Sequence, residues 1–157
     1  MNVYTIKAIP TKYKDTMFRS RLEAQWAAFF DLAGIDWEYE PCDLEGWCPD
    51  FALTLAGATV YAEVKPVALV KEGTPDRLAL PKHASFEKAE RQWSNAWVLL
   101  LGASPQTDSD YFSFGCLMDP PPWTTGVLWA DIKEQLGVHD ERGLWRKAGN
   151  IVRWMPS

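Results

Sequence analysis

Residues 51–65 constrain the fold more tightly than any other stretch. Two β-prone runs, Phe51-Ala52-Leu53-Thr54-Leu55 and Thr59-Val60-Tyr61-Ala62-Glu63-Val64-Lys65, flank the short turn signal Ala56-Gly57. They are expected to pair as an antiparallel hairpin. A two-residue loop sets Leu55 against Ala58 and a four-residue loop sets Thr54 against Thr59, and in both registers opposed residue numbers sum to 113. Asp50 then faces Glu63. Because side chains alternate along a strand, Glu63 and Lys65 share one face while Val60, Ala62 and Val64 take the other.

Directly opposed residues have Cβ atoms roughly 5 Å apart, and like charges in such a pair are destabilising. A bound cation would remove that penalty. Oxygen-only donors suit magnesium or manganese, which commonly keep waters for a substrate phosphate to replace. Lys65, two positions beyond Glu63, can hold an attacking water or a phosphate oxygen without occupying the metal. Pro49-Asp50 followed by Glu63-Val64-Lys65 therefore reads as a divalent-metal site for cutting phosphodiester bonds. The plain alternative is a surface hairpin with a same-face Glu63–Lys65 pair, worth a few tenths of a kcal/mol. It accounts for Glu-x-Lys alone but not for Pro-Asp at the facing register.

A third carboxylate comes from a helix. Between Phe18 and Gly34, apolar residues at 18, 22, 26, 29, 30 and 33 follow the helical period, and glycine is a plausible stop. Glu23 lies at the edge of that stripe beside Leu22, from where it can lean toward the covered layer and reach the metal. Its plain alternative is an exposed Arg19–Glu23 pair at i, i+4.

With these residues in place, the chain resembles the PD-(D/E)XK nuclease superfamily, most closely the phage endonuclease I Holliday-junction resolvases and the related transposon-end and short-patch repair nucleases. The similar run is Phe18-Arg19-Ser20-x-Leu22-Glu23, then Trp37-Glu38-Tyr39-Glu40, Pro49-Asp50-Phe51 and Glu63-Val64-Lys65, and it covers residues 14–66. The resemblance implies an α/β fold, a restriction-endonuclease-like α-β-β-β-α-β core with a mixed central sheet flanked by helices. It also implies that Glu23, Asp50 and Glu63 are acidic site residues and Lys65 the catalytic lysine. In the reaction so implied, magnesium or manganese is held by Asp50 and Glu63, with Glu23 and the Val64 carbonyl as further donors, and Lys65 orients water. Past Pro66 only the order of elements is shared.

A chain of 157 residues supports one sizeable core, so residues 1–157 are expected to form a single domain. No run of eighteen apolar residues and no charged-then-apolar leader is present, which points to a cytoplasmic protein without a membrane partner. Cys42, Cys48 and Cys116 are read as reduced thiols, since three is too few and odd for a disulfide framework. Lys71 to Asp76 reads as a loop. Ala84 to Ser94 reads as a second helix with Phe86, Ala89 and Trp93 on one stripe and Lys88 on another. Trp97 to Gly102 is a continuous apolar run ended by glycine, expected to be a central strand covered on both faces. Tyr111 to Met118 reads as a further strand stopped by Pro120-Pro121-Pro122. Beyond it, Trp129 to Leu136 is read as a short helix and Gly149 to Trp154 as a terminal strand or turn. Trp123, Trp129, Trp145 and Trp154 are read as packing against the sheet, with stacking on unpaired bases as the alternative.

The net charge of −5 opposes a nucleic-acid partner, but its distribution softens that objection. Residues 1–30 carry five basic and two acidic side chains, residues 31–63 eight acidic and none basic, and residues 64–157 eleven of each. The acid excess thus falls in the segment that would hold two metal ligands. Lys12, Lys14, Arg19 and Arg21, with Lys88 later in the chain, are the candidates for contacts to DNA phosphates. The expected activity is that of a metal-dependent DNA endonuclease, with a Holliday-junction or branched-DNA resolvase among the subtypes. Symmetric cutting by a resolvase would imply a homodimer. The competing expectation is a non-catalytic DNA-binding or protein-interaction module that retains the fold.

Overall fold

The computed structural model describes residues 8–41, 48–66, 70–71, 74–75, 97–105, 114–117, 132, 134–136 and 140–153. The chain enters through a small hairpin, β1 (Thr11–Tyr13) and β2 (Thr16–Phe18), in which Thr11 pairs with Phe18. Helix α1 follows at Arg21–Ala33. It starts where Ser20, in extended conformation, accepts the Glu23 N–H on its side chain at 3.1 Å. It stops at Gly34, whose φ of 74° lets the Gly34 N–H reach Asp31 O and the Ile35 N–H reach Phe30 O, the paired bonds of a Schellman ending. Phe18, read from the sequence as part of this helix, lies instead in β2. It is fully buried all the same, so its apolar character fitted the helical stripe by coincidence of spacing.

Among the described residues the main sheet has five strands. Strand β3 (Asp36–Tyr39) runs antiparallel to β4 (Phe51–Leu55), which runs antiparallel to β5 (Ala58–Val64). The expected register holds: Leu55 pairs with Ala58 and Phe51 with Ala62 across a two-residue turn. Both turn residues, Ala56 and Gly57, have positive φ, 51° and 77°, the twist that a two-residue hairpin requires. A separate short hairpin pairs β6 (Val70–Lys71) with β7 (Thr74–Pro75), so the stretch read as loop from Lys71 holds a two-rung ladder. Strand β8 (Trp97–Leu101) then lies parallel to β5 and antiparallel to β9 (Cys116–Leu117), making the sheet mixed.

All five residues of β8 are buried, as its unbroken apolar run requires. Phe114 and Gly115 form a bend rather than part of the expected strand. A Cβ at Gly115 would lie 2.8 Å from Leu100 O, an approach that only glycine permits. Residues 132 and 134–136 are helical, in line with the helix expected there, while the helix expected at 84–94 lies outside the described residues.

Helix α2 (Glu141–Arg153) replaces the strand or turn expected from residue 149. Leu144, Ala148 and Val152 recur every four residues and turn toward α1, with Ala148 and Val152 buried. Gly149 sits where a Cβ would come within 2.8 Å of the Gln25 amide, and that amide donates to Trp145 O at 3.1 Å. Between helices and sheet lies an aromatic core. Trp26, Phe29 and Phe30 of α1 meet Phe51, Phe114 and Trp145 at ring separations of 4.6–6.0 Å, and the ring contacts of Trp145, expected to pack against the sheet, are with Trp26 and Phe29 of α1. The Trp26 indole N–H donates to Gly102 O at 2.9 Å, which keeps its polar atom satisfied in the interior. Tryptophans 123, 129 and 154 lie outside the described residues.

Candidate functional site

Where β4 ends, β5 continues. The Lys65 N–H donates to Leu101 O on β8, so the alternation of the strand turns the Val64 N–H toward β4. The ladder on that side is finished at Phe51, and the Asp50 carboxylate takes the place of a backbone acceptor: Val64 N–H donates to Asp50 Oδ2 at 2.8 Å. On its other side, the Glu40 N–H donates to the Asp50 carbonyl at 2.8 Å and continues the β3–β4 pairing by one rung. Asp50 is thereby fixed at the point where β4 and β5 part, next to the last paired rung, Phe51–Ala62.

Glu23 reaches the same point from α1. As the third residue after its cap it occupies the position from which a glutamate often bonds back to the helix start. Its carboxylate goes elsewhere: the Tyr39 hydroxyl donates to Glu23 Oε1 at 3.1 Å, and the Glu23 carboxyl hydrogen-bonds Asp50. Both acids are buried. Burial raises the Glu23 pKa to about 7, the negative charge of Asp50 adds to the rise, and Arg19 and the Tyr39 hydrogen bond oppose it. Burial also raises Asp50, against the Val64 N–H and the charges of Arg19 and Lys65. Burial side by side thus holds each carboxyl above its ordinary value. Burial pushes the Tyr39 hydroxyl up to about 12, which keeps it a donor.

Glu63 of β5 and Lys65, just past its end, complete the surroundings. Their side chains project to one face as the alternation requires, with Lys65 Nζ 3.4 Å from Glu63 Oε1. The structure thus brings Glu23 and Asp50 into direct contact, and sets Glu63 with Lys65 on the adjoining strand. Val64 takes part through its N–H, while its side chain belongs to the core.

Of the basic residues singled out from the sequence, Arg19 is the one drawn into this cluster. It precedes the helix cap, so the i, i+4 pair with Glu23 is not formed as a helical pair. Instead the guanidinium bonds Asp50 Oδ1 at 3.0 Å and Glu40 Oε1 at 2.9 Å. Lys12 and Arg21 are exposed, and Lys14 is bound to Asp31 at 2.8 Å. Lys88 lies outside the described residues. Sequence reasoning assigned no role to Tyr39 or Glu40, although both stand in the Trp37–Glu40 run. The signal available was alternation: Tyr39 and Trp37 share the face that meets Phe18 and Phe51.

Among the described residues no three histidine, cysteine, aspartate or glutamate side chains converge as a ready-made metal cage. The donors that could hold a cation here are Glu23 and Asp50, with Glu63 across the register. Two buried carboxyls side by side are a donor set suited to a hard cation, because magnesium is commonly held by one or two carboxylates plus waters and phosphate. No described helix is long and apolar enough to cross a membrane. Comparison with known protein families, with curated proteins and with solved structures gives no match to this chain.

Proposed function

We propose that the chain is a magnesium- or manganese-dependent deoxyribonuclease that hydrolyses phosphodiester bonds, built on a restriction-endonuclease-like core. The observation that carries this reading is the Glu23–Asp50 acid pair, buried at the parting of β4 and β5 and flanked by Glu63 and Lys65. The described order α1-β3-β4-β5, followed by β8 parallel to β5, supports the same reading. Glu23 and Asp50 would hold the ion, with Glu63 and the Val64 carbonyl as further donors. When bound, the ion would supply Lewis-acid activation of water and neutralise charge at the scissile phosphate. Asp50 is held by the Val64 N–H so that its orientation survives exchange of its other partners. Tyr39 fixes Glu23 Oε1. Lys65, a donor of three hydrogen bonds and an acceptor of none, orients the attacking water or a phosphate oxygen. Lys12 and Arg21 contact the DNA backbone on either side of Arg19.

The test is incubation of a supercoiled plasmid, a nicked duplex, a single strand and a four-way junction with either metal. Cleavage of at least one substrate is expected, and its loss in Asp50→Ala and Lys65→Ala. Cleavage of none, or undiminished cleavage by those variants, contradicts the reading. Preference for the four-way junction together with a dimeric mass in solution would identify the resolvase subtype.

One observation favours the second reading, a non-catalytic module with this fold: the site's charges are already compensated, Asp50 by Arg19 and Glu63 by Lys65. DNA or protein binding that is indifferent to magnesium, manganese and Asp50→Ala would support it.

A further inference from the structure

The ion pair between Arg19 and Asp50 is asymmetric. Asp50 is anchored through Oδ2 to the Val64 N–H at 2.8 Å and its side chain is 6% exposed, so it cannot move off the strand. Arg19 is 65% exposed, and its guanidinium is the group on Asp50 Oδ1, the oxygen not tied to the backbone. Its backbone N–H donates to the Tyr39 hydroxyl at 3.2 Å and its Nε to the same oxygen at 3.5 Å, contacts that hold the base of the guanidinium, while Nη2 carries the bond to Asp50. A divalent ion approaching Oδ1 meets that positive charge at close range, a repulsion that solvent around the exposed guanidinium reduces without removing.

We propose that Arg19 is an exchangeable counter-cation: it neutralises Asp50 in the free protein, and it leaves Asp50 for a backbone phosphate of DNA when the divalent ion binds. The inference rests on the reading of Glu23 and Asp50 as the cation site. The planar fork of the guanidinium matches a phosphate in two parallel bonds, so the side chain exchanges one anionic partner for another. Glu40, on the second side of the guanidinium at 2.9 Å, is exposed and holds Arg19 at the mouth of the site in either state. Phosphate binding then raises affinity for the ion, because it holds Arg19 away from Asp50. By linkage, the ion raises affinity for phosphate by the same factor.

The free-Mn2+ signal in electron paramagnetic resonance measures ion binding and is blind to any cleavage. Mn2+ is titrated into wild type, Arg19→Gln, Arg19→Lys and Asp50→Ala, with and without a short DNA duplex, and the duplex's own uptake is subtracted. Arg19→Gln is expected to bind Mn2+ about fivefold tighter than wild type without duplex. Wild type should gain a further factor when duplex is added, Arg19→Gln should gain clearly less, and Arg19→Lys, which keeps the charge, should resemble wild type in the absence of duplex. Equal or weaker binding by Arg19→Gln, an undiminished gain with duplex in that variant, or tightening in Arg19→Lys as large as in Arg19→Gln overturns the exchange. Absence of any Asp50-dependent Mn2+ binding in wild type is a different result, and it removes the cation-site reading itself.

Discussion

Glu23 holds its proton at a pH where an ordinary glutamate has lost it, and this has a consequence for stability. Its pKa rises from 4.5 in a solvated chain to about 7 in the folded protein, so between those values the native state binds more protons than the unfolded one. Stability from this group is complete below pH 4.5 and is lost as pH climbs through about 7. Asp50 shifts the same way. Metal-free protein is therefore expected to show a melting temperature that falls from pH 5 to pH 8, measured by scanning calorimetry, and Glu23→Gln should flatten that fall. A variant that keeps the full slope would show that Glu23 is not the group responsible. At the same scale, Lys65→Ala is expected to lower cleavage about 10²-fold or more, as loss of a donor at a reacting phosphate does elsewhere. Retained thermal stability would separate that loss from unfolding. Glu23, Asp50, Glu63 and Lys65 were legible because their positions follow from local periods, a helical stripe and a strand alternation. The partners of Arg19 were not, since Asp50 and Glu40 reach it only after β3 and β4 have paired.

The β4–β5 hairpin was legible to the residue because a two-residue turn admits one register, and a slip by one would turn Val60, Ala62 and Val64 out of the core. Ala56 is the least suited residue in it, since its φ of 51° is a conformation in which asparagine is far more at ease. Ala56→Asn is expected to stabilise the protein by about 0.5–1 kcal/mol in urea unfolding, provided the Gln135 side-chain oxygen still accepts the residue-56 N–H. A loss of stability would mean that packing outweighs the turn. Helix α2 was misread because Gly143 and Gly149 interrupt its pattern and its buried stripe is narrow, so its helicity comes from packing on α1 rather than from propensity. Beside the burial of Phe18, Asp31 ties the entry hairpin on. Asp31 accepts from the Tyr13 hydroxyl at 2.6 Å, from Lys14 at 2.8 Å and from the Trp37 indole at 2.9 Å, joining β1, α1 and β3. Asp31→Ala is expected to cost about 2 kcal/mol in the same measurement, and no change would show that the network is incidental.

Across the whole molecule, the segment with the greatest excess of acid is also the one that supplies β3, β4 and β5, and its charges are arranged in depth. Glu38 and Asp36 face solvent, Asp50 and Glu63 are buried, and the balancing cations come from the entry hairpin's end and from β5. The mixed sheet and the helix over it were readable in outline from the sequence, while the joining of Glu23 to Asp50 depends on how α1 lies over the end of β4. The proposed chemistry requires that pair to be a place where a divalent ion can replace a proton. Carbon-detected nuclear magnetic resonance of the Glu23 side-chain carboxyl, titrated with pH in the absence and presence of magnesium, tests this most directly. A midpoint near 7 is expected without the ion, with a clear downward shift when it is added. A midpoint in the ordinary carboxylate range, or one that magnesium leaves in place, would contradict it.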